Sequence, residues 1–151
     1  MKIEPHVGIG PVRLGAKRNA ARAALAEIGM PLEVSKERID YFPGIQVEYT
    51  SDLVSFIGVS WNERYVATYH GVDVFDLAAE DLFSSVALHD KTGDHMYNTY
   101  DYVFPNQILT LWDADEQYDR IGKETRTVWA QVGLGNDIYL GAVTKVERGD
   151  A

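Results

Sequence analysis

Apolar positions along the chain recur with two periods, and the change of period marks where helices give way to strands. Ala21, Ala24, Leu25 and Ile28 fall at i, i+3, i+4 and i+7, which predicts a helix over about 17–28 with one apolar stripe. Gly29 is placed to cap its C-terminus in the left-handed region and Pro31 prevents continuation. Ala16 and Lys17 stand where a capping Ser, Thr or Asp is expected. The period then falls to two. Ile45, Val47 and Tyr49 alternate with Gln46 and Glu48, Thr50-Ser51-Asp52 makes a turn, and 53–61 is rich in β-branched and aromatic residues. Asn62-Glu63-Arg64 turns the chain into a third run, 65–69, so an antiparallel meander follows the helix.

The order then recurs. Asp76 is a candidate N-cap with Glu80 in the first turn, and Ala79, Leu82, Phe83 and Val86 form a second helical stripe. Strands are expected at 108–112, 125–132 and 138–146, with an acidic excursion at 113–123 and a glycine turn at 133–136. Asp40-Tyr41-Phe42-Pro43 is echoed by Asp101-Tyr102-Val103-Phe104-Pro105, the two Phe-Pro pairs lying 62 residues apart (104 − 42). The helical stripes lie 58 apart (79 − 21), so the second helix-to-strand loop is four residues longer (62 − 58). Its insertion is polar: His89-Asp90-Lys91-Thr92-Gly93-Asp94-His95. The expected fold is α+β, with two helices packed on one face of a long antiparallel sheet and an internal tandem repeat, an α element and about three strands, twice. The 151 residues suit a single domain, 1–151, made of two pseudo-repeats at about 8–69 and 70–147.

Composition narrows the function. Fourteen Lys and Arg stand against 23 Asp and Glu, a net charge of −9, which disfavours nucleic acid and anionic membranes and would steer a basic protein partner to the surface. The absence of cysteine excludes disulfides, thiol nucleophiles and thiolate zinc sites. No apolar run approaches the roughly 20 residues of a membrane span, and the expected location is cytoplasmic.

Candidate chemistry is sparse. Gly8-Ile9-Gly10-Pro11-Val12-Arg13-Leu14-Gly15 lacks the G-x-G-x-x-G spacing, and Pro11 removes an amide donor, so a turn and a short extended segment are expected rather than a phosphate loop. His89, Asp90, Asp94 and His95 crowd one loop in a way that could ligate a divalent metal, but loops of mixed charge usually just face water. The run Asp113-Ala114-Asp115-Glu116-Gln117-Tyr118-Asp119, with Glu124 in twelfth place, mimics a calcium loop, yet Tyr118 occupies the place of the essential glycine. No nucleophile elbow, H-E-x-x-H or P-loop occurs. The sequence therefore predicts no catalytic residue, no metal and no cofactor.

The stretch Gly8-Ile9-Gly10-Pro11-Val12-Arg13-Leu14-Gly15 followed by a helix and a meander, all of it recurring within about 150 residues, resembles the units of the β-lactamase inhibitory proteins and the related small outer-membrane assembly lipoproteins. That resemblance implies a helical layer on one face of an antiparallel sheet and a concave opposite face that docks a protein. For an acidic, cysteine-free chain it points to a cytoplasmic immunity protein that neutralises a toxin.

Nine tyrosines and three tryptophans against five phenylalanines favour rings with a polar handle, which suit interfaces as well as cores. Several stand beside acids, and two helices can cover only one face of a sheet. The candidate partner-binding residues are Glu48, Tyr49, Trp61, Glu63, Tyr65, Trp112, Asp113, Asp115 and Glu116. A small-ligand binder or enzyme with a pocket near the 89–95 loop is one alternative. A structural subunit or homodimer formed through an edge strand is another.

Overall fold

A computed structural model of the protein describes residues 1–118 and 125–147, with side chains over 1–115 and 126–145. Strands β1 (Ile3–Glu4), β2 (Gly8–Ile9) and β3 (Val12–Arg13) make a small sheet ahead of helix α1 (Arg18–Glu27). Then come β4 (Val34–Ser35), β5 (Ile39–Phe42), β6 (Ile45–Thr50) and β7 (Leu53–Val59), followed by the short pair β8 (Thr68–Tyr69) and β9 (Val72–Asp73). Helix α2 (Ala79–His89), strands β10 (Asp101–Phe104), β11 (Leu109–Tyr118) and β12 (Thr125–Gly135), and helix α3 (Asp137–Glu147) complete the described chain. Seven strands form one antiparallel sheet in the order β10-β11-β12-β7-β6-β5-β4. None of the described helices is long and apolar enough to cross a membrane.

Local chemistry explains the elements. Gly29 sits at φ 78° and donates to the Ala26 carbonyl at 3.0 Å while Met30 donates to Leu25 at 2.9 Å, the paired bonds of a Schellman cap. At the other end of α1 no side chain caps, and the Asp52 carbonyl in the β6–β7 turn takes the Arg18 amide at 3.1 Å instead. That turn is a two-residue loop, Ser51-Asp52, with both φ positive (51° and 65°), the conformation whose twist suits a tight hairpin. Between β5 and β6, Pro43-Gly44 does the same job with Gly44 at φ 68°.

Register assigns the faces. Phe42, Ile45, Val59, Val132, Leu111 and Tyr102 pair strand to strand in one row across the sheet, and Asp40, Val47, Ile57, Leu134, Leu109 and Phe104 in a second row on the same side. These apolar rows share the core with Ala21 and Leu25 of α1 and Leu82, Phe83 and Val86 of α2. The Trp129 indole N–H donates to the Ala79 carbonyl at 2.9 Å and ties β12 to the first turn of α2.

Several expectations are corrected. The described chain has three helices, and it is not two helices on one sheet in a tandem repeat. The expected last strand at 138–146 is α3, because Asn136 Oδ1 accepts from the Ile138 and Tyr139 amides at 3.1 and 3.2 Å and nucleates a helix. Gly133 and Gly135 are strand residues of β12 rather than a turn. A Cβ on Gly133 would lie 2.4 Å from Phe56, and one on Gly135 would lie 2.2 Å from Tyr139, so both are glycine to admit a ring over the strand. The third run at 65–69 contributes only β8, which pairs with β9 and not with the main sheet. Asp76 does not cap α2; that helix begins at Ala79, and Asp76 faces Arg126 at 3.8 Å. The acidic excursion is strand as far as Tyr118, while Lys123 and Glu124 lie outside the described residues.

One polar group is set into the covered face. Asp40 is fully buried, and its carboxylate accepts from Arg18 Nη2 at 2.7 Å, Arg22 Nε at 2.7 Å and the Tyr49 hydroxyl at 2.9 Å. Burial pushes this carboxyl up, but the hydrogen bonds from Arg22, Arg18, Ser35 and Tyr49 outweigh it and hold the group well below the usual carboxylate range. Asp40→Asn leaves two guanidinium groups without their counter-charge, and the expected loss is about 3 kcal/mol in urea denaturation at pH 7. Because the folded carboxyl titrates lower than the unfolded one, this contribution is complete above about pH 4 and fades as the pH falls further. The gap between Asp40→Asn and wild type should therefore narrow in acid; a gap that is constant or widens below pH 4 contradicts the assignment.

Candidate functional site

The opposite side of the sheet is built differently. Tyr41, Gln46, Gly58, Gly133, Thr110 and Val103 pair across it in one row, with Gln131, Trp112 and Asp101 in a neighbouring row. Helix α3 covers part of this side through Tyr139, which stacks on Phe56 with ring centroids 4.6 Å apart at 26°. The remainder is an open, shallow surface of polar and aromatic side chains.

Trp112 is its centre, 54% exposed and lining three adjoining depressions. The first, about 220 Å³, lies beside α3 and is floored by Glu48, Thr110 and Gln131 and walled by Phe56, Tyr139 and Trp112. The second, about 380 Å³, runs toward the β5–β6 hairpin past Tyr41, Gln46 and Glu33. The third, about 240 Å³, is bounded by Tyr100, Asp101, Trp112 and Asp113.

Glu48 is half-buried in the first depression. Its carboxylate accepts from Gln46 Nε2 at 2.9 Å, and Gln131 Nε2 donates in turn to Gln46 Oε1 at 3.5 Å. No cation among the described residues pairs with it. Burial pushes the Glu48 carboxyl above the ordinary glutamate range, against the lowering influence of the Gln46 hydrogen bond. A half-buried carboxylate beside aromatic side chains has the chemistry to accept a cationic group.

The other candidates are distributed unevenly. Trp112 and Asp113 join Glu48 on this surface, and Asp113 holds a left-handed φ of 54° while its amide bonds the Tyr100 carbonyl. Tyr49 is on the covered side, buried, with Arg18 Cζ 4.6 Å over its ring. Trp61 and Glu63 are exposed in the loop after β7. The Tyr65 hydroxyl ties that loop to the hairpin by donating toward the carbonyls of Gly44 and Ser60. Asp115 is exposed on β11, opposite Val128. The Glu116 side chain lies outside the described residues. Tyr41, Gln46, Tyr100, Asp101 and Gln131 were missed; strict alternation from Phe42 and Ile45 would have found the first two.

The 89–95 loop is occupied with itself. Asp90 is buried and bonds Thr92 and the Gln107 amide, which outweigh burial and keep its carboxyl low, and His95 Nε2 lies 3.3 Å from it. His95 Nδ1 in turn pairs with the Tyr102 hydroxyl at 2.8 Å. This Asp-His-Tyr chain superficially suggests nucleophile activation, but burial and the Asp90 charge raise the Tyr102 phenol rather than lower it. Tyr69, bonded to Gln107, is likewise raised, to about 12, mainly by burial. His89 turns away to the Ser85 carbonyl at 2.8 Å and stacks on His70 at 3.9 Å. Among the described residues no three His, Asp or Glu side chains converge to hold a metal ion.

Comparison with family models, with curated proteins and with solved structures finds no match.

Glu48 carries a stability penalty that can be measured. Its folded carboxyl titrates above the unfolded one, so the native state binds the extra proton and stability is lost as pH rises through that interval. Glu48→Gln is expected to stabilise the protein by about 0.5 kcal/mol at pH 7, with the gain gone below about pH 4. Destabilisation at pH 7 would mean that the carboxylate is internally compensated.

Proposed function

We propose that the chain is a non-catalytic binding module for a basic protein, most concretely an immunity or inhibitor protein that neutralises a cationic toxin or enzyme in the cytoplasm. The reading is carried by the half-buried Glu48 carboxylate, which stands unpaired among the described residues on an open sheet face beside the exposed Trp112. The net charge of −9 favours fast encounter with a basic surface, and the rings of Trp112 and Tyr41 supply the apolar contact area that slows release. Trp61 and Glu63 belong to a separate loop at the hairpin end and would act at the rim.

The test is co-purification from the native host, identification of the captured protein, and measurement of its affinity. The expected partner is basic, binds less tightly as ionic strength rises from about 0.05 to about 0.5 M, and loses about 30-fold in affinity to Trp112→Ala, mostly through faster dissociation. A partner held equally well by a Glu48→Gln, Trp112→Ala double variant would place the interface elsewhere and end this reading.

A further inference from the structure

The third depression carries a more specific assignment. Trp112 and Asp101 are cross-strand partners on the open side of the sheet, and the Asp113 amide is bonded to the Tyr100 carbonyl, so the backbone holds all four residues together. All four residues are exposed, the two rings at 77% for Tyr100 and 54% for Trp112. Neither Asp101 nor Asp113 has an ion-pair partner among the described residues.

The protein contains the complement of this arrangement elsewhere. Arg18 lies with Cζ 4.6 Å over the Tyr49 ring while its Nη2 meets Asp40 Oδ1 at 2.7 Å, a guanidinium held between an aromatic face and a carboxylate. Asp40 and Asp101 open the two similar stretches, Asp-Tyr-Phe-Pro and Asp-Tyr-Val-Phe-Pro. The additional Val103 moves Asp101 one residue further from its Phe-Pro pair, and in a strand that turns it to the other face. Asp40 therefore meets two arginines from α1, whereas Asp101 faces outward beside Trp112 with none among the described residues.

We infer that Tyr100, Asp101, Trp112 and Asp113 form a clamp for one arginine side chain of the partner protein. The guanidinium would stack on the rings and share its N–H groups between the two carboxylates. Arginine fits better than lysine because its planar fork can stack and bond two oxygens at once, and the depression of about 240 Å³ between the four residues is open to solvent. The inference deepens the reading above by naming the anchor group on the partner.

The probes are N-acetyl-arginine amide, N-acetyl-lysine amide and N-acetyl-citrulline amide, titrated into ¹⁵N-labelled protein. Arginine amide is expected to shift the Trp112 indole and the amides of residues 100, 101, 112 and 113, at least threefold more tightly than lysine amide, with citrulline amide inert. Asp101→Asn, Asp113→Asn and Trp112→Ala should each weaken it fivefold or more, while Glu27→Gln, which removes one exposed acid from α1, should leave it unchanged. The variants sit at exposed positions, and an otherwise unaltered amide spectrum shows that each has folded. Shifts scattered over the acidic surface, equal binding of lysine amide, or indifference to Asp101→Asn would overturn the clamp. Failure here with a basic partner still dependent on Glu48 refutes the clamp alone; arginine binding without a basic partner refutes the broader reading alone.

Discussion

Everything on the open side follows from how one carboxylate is buried on the other. Asp40 has no exposure to water, and a carboxylate in that position persists only with its charge matched and its lone pairs filled. Arg18 and Arg22 come from successive turns of α1, the Tyr49 hydroxyl from β6, and Arg18 also bonds the carbonyls of Lys36 and Glu37. The network fastens α1 over the β4–β6 end of the sheet and fixes which way β5 faces. Since side chains alternate along a strand, Asp40 facing α1 forces Tyr41 to the opposite side. Cross-strand register then carries that choice through Gln46, Gly58, Gly133, Thr110 and Val103.

The glycines of that row shape the surface. A Cβ on Gly58 would lie 2.5 Å from Gln131 Nε2, and one on Gly133 would lie 2.7 Å from Thr110 Oγ1 as well as against Phe56. Their absence of side chains leaves room for the Gln131 side chain over Gly58 of β7 and the Phe56 ring over Gly133 of β12. Phe56 is held down in turn by Tyr139 of α3. The third helix thus serves as one wall of the depression that holds Glu48.

Both core helices were legible because their stripes are long and periodic, and the 45–59 hairpin because its alternation is strict and its turn residues are polar. What misled lies where one residue type serves two purposes. Gly133 and Gly135 signal a turn in sequence but act as gaps beneath rings, a fact set by Phe56 and Tyr139 at distant positions. Asn136 reads equally as turn residue or helix cap, and only the chain direction after it decides. Of the candidate site, Glu48 and Trp112 were found by their chemistry, since an acid and a large ring on an alternating strand must face somewhere. Tyr49 shares that chemistry yet faces α1, because alternation along β6 puts it on the side of Ile45 and Val47, where its hydroxyl donates to Asp40. Tyr100 was invisible, its role being set by a backbone bond to Asp113 across two strands.

The contrast between Asp40 and Asp101 bears most directly on function. The same chain that surrounds one aspartate with two arginines, a tyrosine and a serine leaves Asp101, Asp113 and Glu48 without a cation among the described residues. Helix α3 lines the depressions beside Glu48 and Asp101 with Tyr139, Leu140, Val143 and Thr144, none of which carries a positive charge. Uncompensated acids beside exposed rings reduce stability through repulsion and desolvation, and marginal proteins shed such penalties unless a function retains them. Solubility alone needs acids only where water already solvates them, and Glu48 is half withdrawn from water. A basic partner of the kind proposed above would supply at Glu48 the positive charge that the described residues do not.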